Sequence, residues 1–391
     1  MKIAIVTYAF YESTLPFFKE LSKKHNVDLY CIVNRKVLSL PSFNITLNKK
    51  NRNNSLISNS VLSEDTRNYI GTSLIENINI YLWESSIRDL FFVKNNLGSI
   101  IKNKKYEVIH FINSSFLYQN ISKINFKTSK IVFSIHESVI NRANSGPLSF
   151  RRIFKKIRNR NSSKCLNFAN SLIFHSENEK NKFLENRNNL SCQIEVLKFS
   201  LFETYLTISN KNNKPLISEP YFLYIGYIKT YKGVDFLIDT ILNNKELSKI
   251  NFVIAGKDDT GLDKKSLISN INFINKFLTD NEFVDLVSNA KAVILPYRSS
   301  SQSGIPSAAF CFNVPIVFSN VLGLKEYIKN EYNGIEFNAN QEDSLKQSIL
   351  KMNQIKYRNK LRENISKNPF GNEYQNWTNF TLSMVNIYKS I

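Results

Sequence analysis

The chain has 391 residues, of which 42% are hydrophobic and 21% charged, with a formal net charge of +20. That length exceeds one ordinary core and that composition excludes a disordered chain, so two globular domains are expected. The charge predicts attraction to phosphate in some form without choosing among nucleotide, nucleic acid and anionic lipid, and an Asn-, Lys- and Ile-rich composition typical of AT-rich coding is an equally simple source of it.

In chain order, Lys2–Val6 is a short β-branched run, Leu15–Lys24 has helical amphipathic spacing, and Val27–Val33 reads as a second strand. The stretch from Pro41 to Asn59 has no periodicity and is expected to be a loop. Further strands are expected at Val108–Ile112, Ile131–Ile135, Ser171–Phe174 and Ile194–Leu197, an alternation that implies a parallel sheet covered on both faces. From Tyr205 to Pro220 the sequence turns polar and Pro-punctuated, as linkers do. The rhythm restarts with Tyr221–Ile225, a helix from Gly233 to Asn243, and strands at Asn251–Ala255, Ile271–Asn275, Ala292–Leu295 and Pro315–Ser319. The expected division is residues 1–210, residues 211–369, and a terminal helix over 370–391 whose Trp377, Phe380, Met384 and Tyr388 repeat at helical spacing. No apolar run approaches the roughly 20 residues that span a bilayer. Met1-Lys2-Ile3-Ala4-Ile5-Val6 reads as a strand and not as a leader, so a cytoplasmic protein is expected. Cys31, Cys165, Cys192 and Cys311, and likewise His25, His110, His136 and His175, show no metal-ligand spacing. Reduced, mostly buried thiols and no metal are expected.

Ligands of open α/β sheets bind beyond the carboxyl ends of the strands, where loops meet helix starts. Four such loops stand out. In Gly226-Tyr227-Ile228-Lys229-Thr230-Tyr231-Lys232-Gly233, Gly226 permits a close turn and Lys232 stands at a helix entrance, where its ammonium suits a phosphate; a solvated turn is the plainer reading. Ala255-Gly256-Lys257 is either a ligand-facing loop or a tight turn. The run Leu295-Pro296-Tyr297-Arg298 to Gln302-Ser303-Gly304-Ile305-Pro306 leads a strand through a hydroxyl-rich loop into a helix. Its amides, the Ser303 hydroxyl and the planar Arg298 fork suit a diphosphate, with serine caps as the alternative. In Val321-Leu322-Gly323-Leu324-Lys325-Glu326, Glu326 either accepts from a sugar or ribose hydroxyl or is a first-turn helix residue.

Taken together, the order of these motifs from Tyr221 to Phe337, with Pro315-Ile316-Val317 and Asn333-Gly334, resembles the donor lobe of the family 4 retaining glycosyltransferases, in a subset with Gln302-Ser303-Gly304 in place of the usual Glu-Gly-Phe-Gly. The resemblance implies a GT-B fold: α/β, two Rossmann-like doubly wound parallel-sheet lobes with an interlobe cleft. It also implies a metal-independent transferase that needs no cofactor. The donor, a nucleotide-diphosphate sugar, would sit on the C-terminal lobe and an oligosaccharide or lipid-linked acceptor on the N-terminal lobe, in bacterial surface polysaccharide (lipopolysaccharide or capsule) synthesis. By the same resemblance Lys232 neutralises the diphosphate, with Gly226, Lys229, Arg298, Gln302, Ser303, Gly304 and Ile305 around it, and Gly256, Lys257 and Glu326 meet the nucleoside or sugar. Two positions depart from the family pattern. Tyr227 replaces an arginine, for which Lys229 or Arg298 is the expected substitute, and the paired glutamates fall on Ser300 and Ala308.

In the first half, Phe133-Ser134-Ile135-His136-Glu137 resembles the strand-ending histidine that approaches the donor sugar, which makes His136 the catalytic candidate; a core histidine is the alternative. His110 and His175 follow other apolar runs, and Glu12 lies after the first strand; His110 and Glu12 are the acceptor candidates. Residues 138–176 contain no acid, while Arg151, Arg152, Phe154, Lys155, Lys156 and Arg158 form a basic amphipathic run that either lies on an anionic membrane or packs as an ordinary helix. Peripheral attachment to the inner face of the plasma membrane follows from the first reading. Three other functions compete: a noncatalytic nucleotide-sugar-binding partner of another transferase, a sugar-nucleotide epimerase of the same architecture, and a nucleic-acid binder, for which no dedicated motif exists.

Overall fold

A computed structural model describes residues 1–35, 39–40, 42–47, 55–83, 93–113, 128–136, 165–185, 187, 190–208, 214–262, 270–300 and 302–391. The chain divides into two compact units, one made of Met1–Phe199 with Trp377–Ile391, the other of Ser200–Asn376.

The first unit holds an eight-stranded sheet. Its strands are β1 (Lys2–Thr7), β2 (Asn26–Asn34), β5 (Ser55–Ile57), β6 (Ile78–Trp83), β7 (Val108–Ile112), β8 (Lys130–Ile135), β9 (Ser171–Phe174) and β10 (Gln193–Val196), in the order β10-β9-β8-β7-β1-β2-β6-β5. All pairings are parallel except β5 with β6. Runs such as Ile3-Ala4-Ile5-Val6 and Val108-Ile109-His110-Phe111 are buried without alternation, because helices cover both faces of a parallel sheet. Within the stretch 41–59 expected to be loop, β4 (Phe43–Asn44) pairs antiparallel with β3 (Ser39–Leu40), and β5 extends the main sheet. The helix Trp377–Ser390 lies against the helix Tyr11–Ser22: Phe17 meets Phe380 edge-on at 5.4 Å, and the Lys130 ammonium donates to the Tyr388 carbonyl at 3.0 Å. Trp377, Phe380, Met384 and Tyr388 are all buried in this unit.

The second unit holds a six-stranded, wholly parallel sheet. Its strands are β11 (Tyr221–Ile225), β12 (Asn251–Ala255), β13 (Ile271–Ile274), β14 (Ala292–Leu295), β15 (Ile316–Ser319) and β16 (Gly334–Phe337), in the order β13-β12-β11-β14-β15-β16. The helix Val234–Asn243 buries Val234, Leu237, Ile238 and Ile241. Helix Asp280–Ser288 begins with a capping box in which Thr279 and Glu282 each satisfy the other's backbone amide. The unit takes in the start of the sequence expected to be linker, where Tyr205 stacks on Phe283 at 4.9 Å, and the residues just before it, where the Phe202 amide donates to the Ser307 carbonyl at 3.2 Å.

Each sheet has one place where the winding reverses. In the first the chain builds outward from β1 in one direction and restarts at β7; in the second it builds outward from β11 and restarts at β14. The crevice beyond the carboxyl ends at such a switch point is where doubly wound sheets bind ligands.

Candidate functional site

At the switch point of the second unit the loops after β11, β12 and β14 touch. Gly233 has φ +66, and a Cβ there would lie 1.9 Å from the Pro296 carbonyl oxygen; a Cβ on Gly256 would lie 1.9 Å from the Gly226 carbonyl oxygen. Only glycine allows these backbones to close up. The Arg298 amide donates to the Tyr231 carbonyl at 2.9 Å and the Ile228 amide to the Lys257 carbonyl at 2.9 Å, which completes the joining of the three loops.

Lys232 ends the turn before helix Val234–Asn243, with its ammonium 3.7 Å from the centroid of the Tyr297 ring. No carboxylate pairs with it among the described residues. The ring face offers a weak cation contact, of about 1 kcal/mol or less where solvent reaches it, and leaves the charge uncompensated. Lys229 is exposed, its ammonium 4.6 Å from the Tyr227 ring, while the Tyr227 hydroxyl donates to Asp259.

Arg298 differs from expectation. Its two terminal nitrogens grip Asp235 at 2.7 and 2.9 Å, and one also donates to the Thr230 carbonyl at 2.8 Å. The fork is a staple between two loops and not a free phosphate donor, because a bidentate carboxylate partner lies in the first turn of the helix that follows Lys232. The pairing holds the Asp235 carboxyl below its ordinary value against the opposing effect of burial. The helix start at Gly304 also offers less than the sequence implies: the Ile305 amide donates to the Ser303 hydroxyl at 3.4 Å, and Pro306 has no amide hydrogen. Gly304 has a packing reason of its own, since a Cβ there would lie 2.8 Å from the Phe202 ring. Gln302 keeps a buried side-chain oxygen with no hydrogen-bond partner among the described residues, and so does the Ser307 hydroxyl. Glu326 follows the short helix Leu322–Lys325 as its carboxyl cap instead of lying in a first turn.

In the first unit His136 directly follows β8, beside the switch point. Its ring stacks on Phe10 at 3.8 Å and meets His175 at 4.9 Å and Phe199 at 5.0 Å. Phe10 reaches it from a left-handed backbone conformation, φ 62, at the start of helix Tyr11–Ser22. Burial, then the neighbouring His175 and His110, hold the His136 imidazole well below its ordinary range, so it is neutral near pH 7. His175 donates from Nδ1 to the Leu197 carbonyl at 2.8 Å and stacks on Phe199 at 3.8 Å.

His110 lies mid-strand in β7 and not at its end. Its Nδ1 shares a hydrogen bond with the Tyr388 hydroxyl at 2.6 Å and its Nε2 one with the Ser134 hydroxyl at 2.8 Å. Fully buried, with both nitrogens engaged inside the unit, it is a core histidine and has no polar atom left for an acceptor; burial brings its pKa down to about 3. Glu12 belongs to the first turn of helix Tyr11–Ser22 and not to a loop. Arg151, Arg152, Phe154, Lys155, Lys156 and Arg158 lie outside the described residues.

Three residues near these sites escaped the sequence reading. Tyr297 was seen as part of a motif but not as the ring beneath Lys232, and Asp235 was not seen as the partner of Arg298. Asn113, with φ 65, follows β7 at the switch point, and its side-chain oxygen is buried without a partner among the described residues. An asparagine directly after an apolar strand was the available signal for it.

Residues 207–369 match the family described as glycosyl transferases group 1. The second unit carries a glycosyl transferases group 1 domain. Lys232, Gly256, Arg298 and Gly304 all belong to the matched stretch, which runs from Thr207, the last residue of the turn Glu203–Thr207, to two residues past helix Ile355–Lys367. A relative called an uncharacterized glycosyltransferase, from Methanocaldococcus jannaschii, is 26% identical over 177 residues, covering 44% of this chain and 45% of the relative. The chain spans about half the length of the curated relatives it matches. Among solved structures it is similar to the sucrose-phosphate synthase of Thermosynechococcus elongatus, at 11% identity and TM-score 0.66 over 100% of this chain and 99% of the other. It is also similar to HepE of Anabaena in complex with UDP-glucose, at 11% identity and TM-score 0.64 over 100% of both chains. These likenesses show the GT-B fold. Among the described residues no group of three His, Cys, Asp or Glu side chains could hold a metal ion, and no helix is long and apolar enough to cross a membrane.

Proposed function

We propose that the chain is a retaining glycosyltransferase that moves a sugar from a nucleotide-diphosphate sugar to the hydroxyl of an oligosaccharide or lipid-linked acceptor, in the synthesis of a bacterial surface polysaccharide. The observation that carries this reading is the Lys232 ammonium, without a carboxylate partner among the described residues, amid three loops drawn together by glycines at a switch point within a group 1 domain. In transfer, the bond between the sugar's anomeric carbon and the terminal phosphate oxygen breaks. The acceptor oxygen bonds to that carbon, and the acceptor proton passes to the released phosphate. Negative charge grows on the diphosphate as this happens, so a fixed ammonium beside it stabilises the transition state more than the bound donor. Lys232 has that role; Lys229, Gln302 and Ser303 are assigned to the same group, with Gly226 and Gly304 giving backbone access, and Gly256, Lys257 and Glu326 to nucleoside or sugar. The complex of HepE with UDP-glucose supports a nucleotide-sugar donor.

His136 is the candidate from the first unit for the donor sugar. Being neutral, it acts as a hydrogen-bonding group and not as a cation. Peripheral membrane attachment through the basic run 151–158 belongs to the same proposal, since a lipid-linked acceptor requires access to a bilayer surface.

The absence of acid at Ser300 and Ala308 favours one alternative, a noncatalytic binder of nucleotide sugars. The test is a thermal-shift screen of UDP, GDP and ADP sugars followed by an assay of donor hydrolysis and transfer. A ligand of the folded form raises the melting temperature, and Lys232→Ala abolishes that rise. A shift unchanged in Lys232→Ala removes the lysine from the site, and binding without turnover of any acceptor selects the noncatalytic reading.

A further inference from the structure

At the opposite end of the second sheet from Lys232, where the strands begin, three cations meet. Lys291 immediately precedes β14, and its ammonium donates to the Asn353 side-chain oxygen at 3.0 Å. Arg358 donates to the carbonyls of Met352 and Asn353, both at 3.1 Å. Arg362 donates to the carbonyl of Ala290 at 2.9 Å and approaches that of Lys291 at 3.5 Å. Asn353 thus links Lys291 to Arg358, and the carbonyls of Ala290 and Lys291 link this segment to Arg362, so the three side chains share one patch.

Among the described residues none of the three is in an ion pair, and every hydrogen bond they make there goes to a carbonyl or a side-chain amide oxygen. The Arg362 Nε hydrogen is buried with no acceptor among the described residues. Two helix ends offer partial compensation, those of Glu342–Asn353 and Asp280–Ser288. Each carries about half a negative charge, so together they offset about one of the three cations and leave about two positive charges in a half-buried patch. Lys291 and Arg358 are each held below their ordinary values by burial and then by a neighbouring arginine, in line with charge that the protein itself does not neutralise. A planar guanidinium with a spare inward N–H, a second one beside it and a point-charge ammonium are the groups that recognise tetrahedral oxyanions.

We propose that Lys291, Arg358 and Arg362 bind a phosphate group at the amino ends of β11 and β14, a second anion site separate from the loops around Lys232. The site stands independently of the proposed transferase activity. A free phosphate ester and a phospholipid headgroup present the same chemistry to it.

The experiment titrates the full chain with inorganic phosphate at constant ionic strength, followed by thermal shift, and in parallel sediments it with phosphatidylcholine vesicles with or without phosphatidic acid. The wild type shows a saturable rise in melting temperature. Half-saturation moves about tenfold or more upward in Lys291→Gln, the loss of roughly one charge-assisted contact. Lys291→Arg restores binding, which excludes a folding defect, and Lys232→Ala leaves it unchanged. A Lys291-dependent retention on phosphatidic acid vesicles with no response to free phosphate also supports the site and names the headgroup as its source. A phosphate response lost in Lys232→Ala and intact in Lys291→Gln, or no Lys291 dependence in either assay, overturns the proposal.

Discussion

Lowering the pH should unfold the first unit while sparing the second. All four histidines of the chain lie in the first unit, and burial brings both His110 and His175 from an ordinary value of 6.5 down to about 3. Below pH 6.5 the unfolded chain takes up these protons and the fold does not, so the stability they leave intact above that pH is lost progressively as pH falls towards 3. Between pH 7 and pH 5 the loss is about 2 kcal/mol for each of the two. The sum, about 4 kcal/mol, is a large part of the 5–15 kcal/mol typical of a folded domain. His136, shifted in the same direction, adds to it. Among the described residues the groups facing this cluster include Phe10, Phe17, Phe199, Phe380, Ser134 and Tyr388, none of them an anion able to take up the new charge. Both tryptophans, Trp83 and Trp377, also belong to the first unit, so urea unfolding followed by tryptophan fluorescence reports on it alone. An unfolding free energy at pH 5 within about 1 kcal/mol of that at pH 7, or an equal loss in the histidine-free second unit, would refute the assignment of these imidazoles as buried and neutral.

Replacing Gly233 by Ala sets a Cβ against the Pro296 carbonyl at a left-handed backbone position and should destabilise the second unit by at least about 2 kcal/mol; an earlier unfolding transition of the full chain in circular dichroism with the tryptophan-reported transition of the first unit unmoved, or loss of nucleotide-sugar binding, reads this out. Gly304→Ala should cost about 1–3 kcal/mol through overpacking on Phe202, and Phe202→Leu in the same chain should recover part of it, which a double-mutant cycle measures. Asp235→Asn breaks the fork to Arg298; because both side chains are about a third exposed, the loss of stability should be only about 1 kcal/mol. Its effect on KM for the donor should exceed its effect on kcat, since it loosens the loop that carries Lys232.

The βα rhythm of both units was legible because parallel strands covered on both faces are unbroken apolar runs, which Lys2–Val6, Val108–Ile112 and Tyr221–Ile225 all are. β6 was missed although Ile78-Asn79-Ile80-Tyr81-Leu82-Trp83 has the β-branched and aromatic content of a strand, and β16 was missed because it is four residues long and begins with glycine. At the site, the strand-to-helix loops stood out by local chemistry, glycine and lysine directly after an apolar run, although each loop alone also reads as a plain turn. The roles of His110 and Arg298 did not. What decides them is a partner far off in the chain: Tyr388, 278 positions from His110, and Asp235, 63 positions from Arg298.

The discontinuous make-up of the first unit sets an order of events during synthesis. Its sheet is encoded before residue 200, yet the helix that bears Phe380 and Tyr388 emerges only after every residue of the second unit. Until then the faces of Phe17 and His110 that meet this helix stay open. On the ribosome the second unit therefore has the chance to fold first, while its predecessor waits as a sticky intermediate in need of a chaperone. A nonsense mutation that removes only the closing helix should strand the nascent protein in that state and send it to aggregates or proteases, even though every loop around Lys232 has been made.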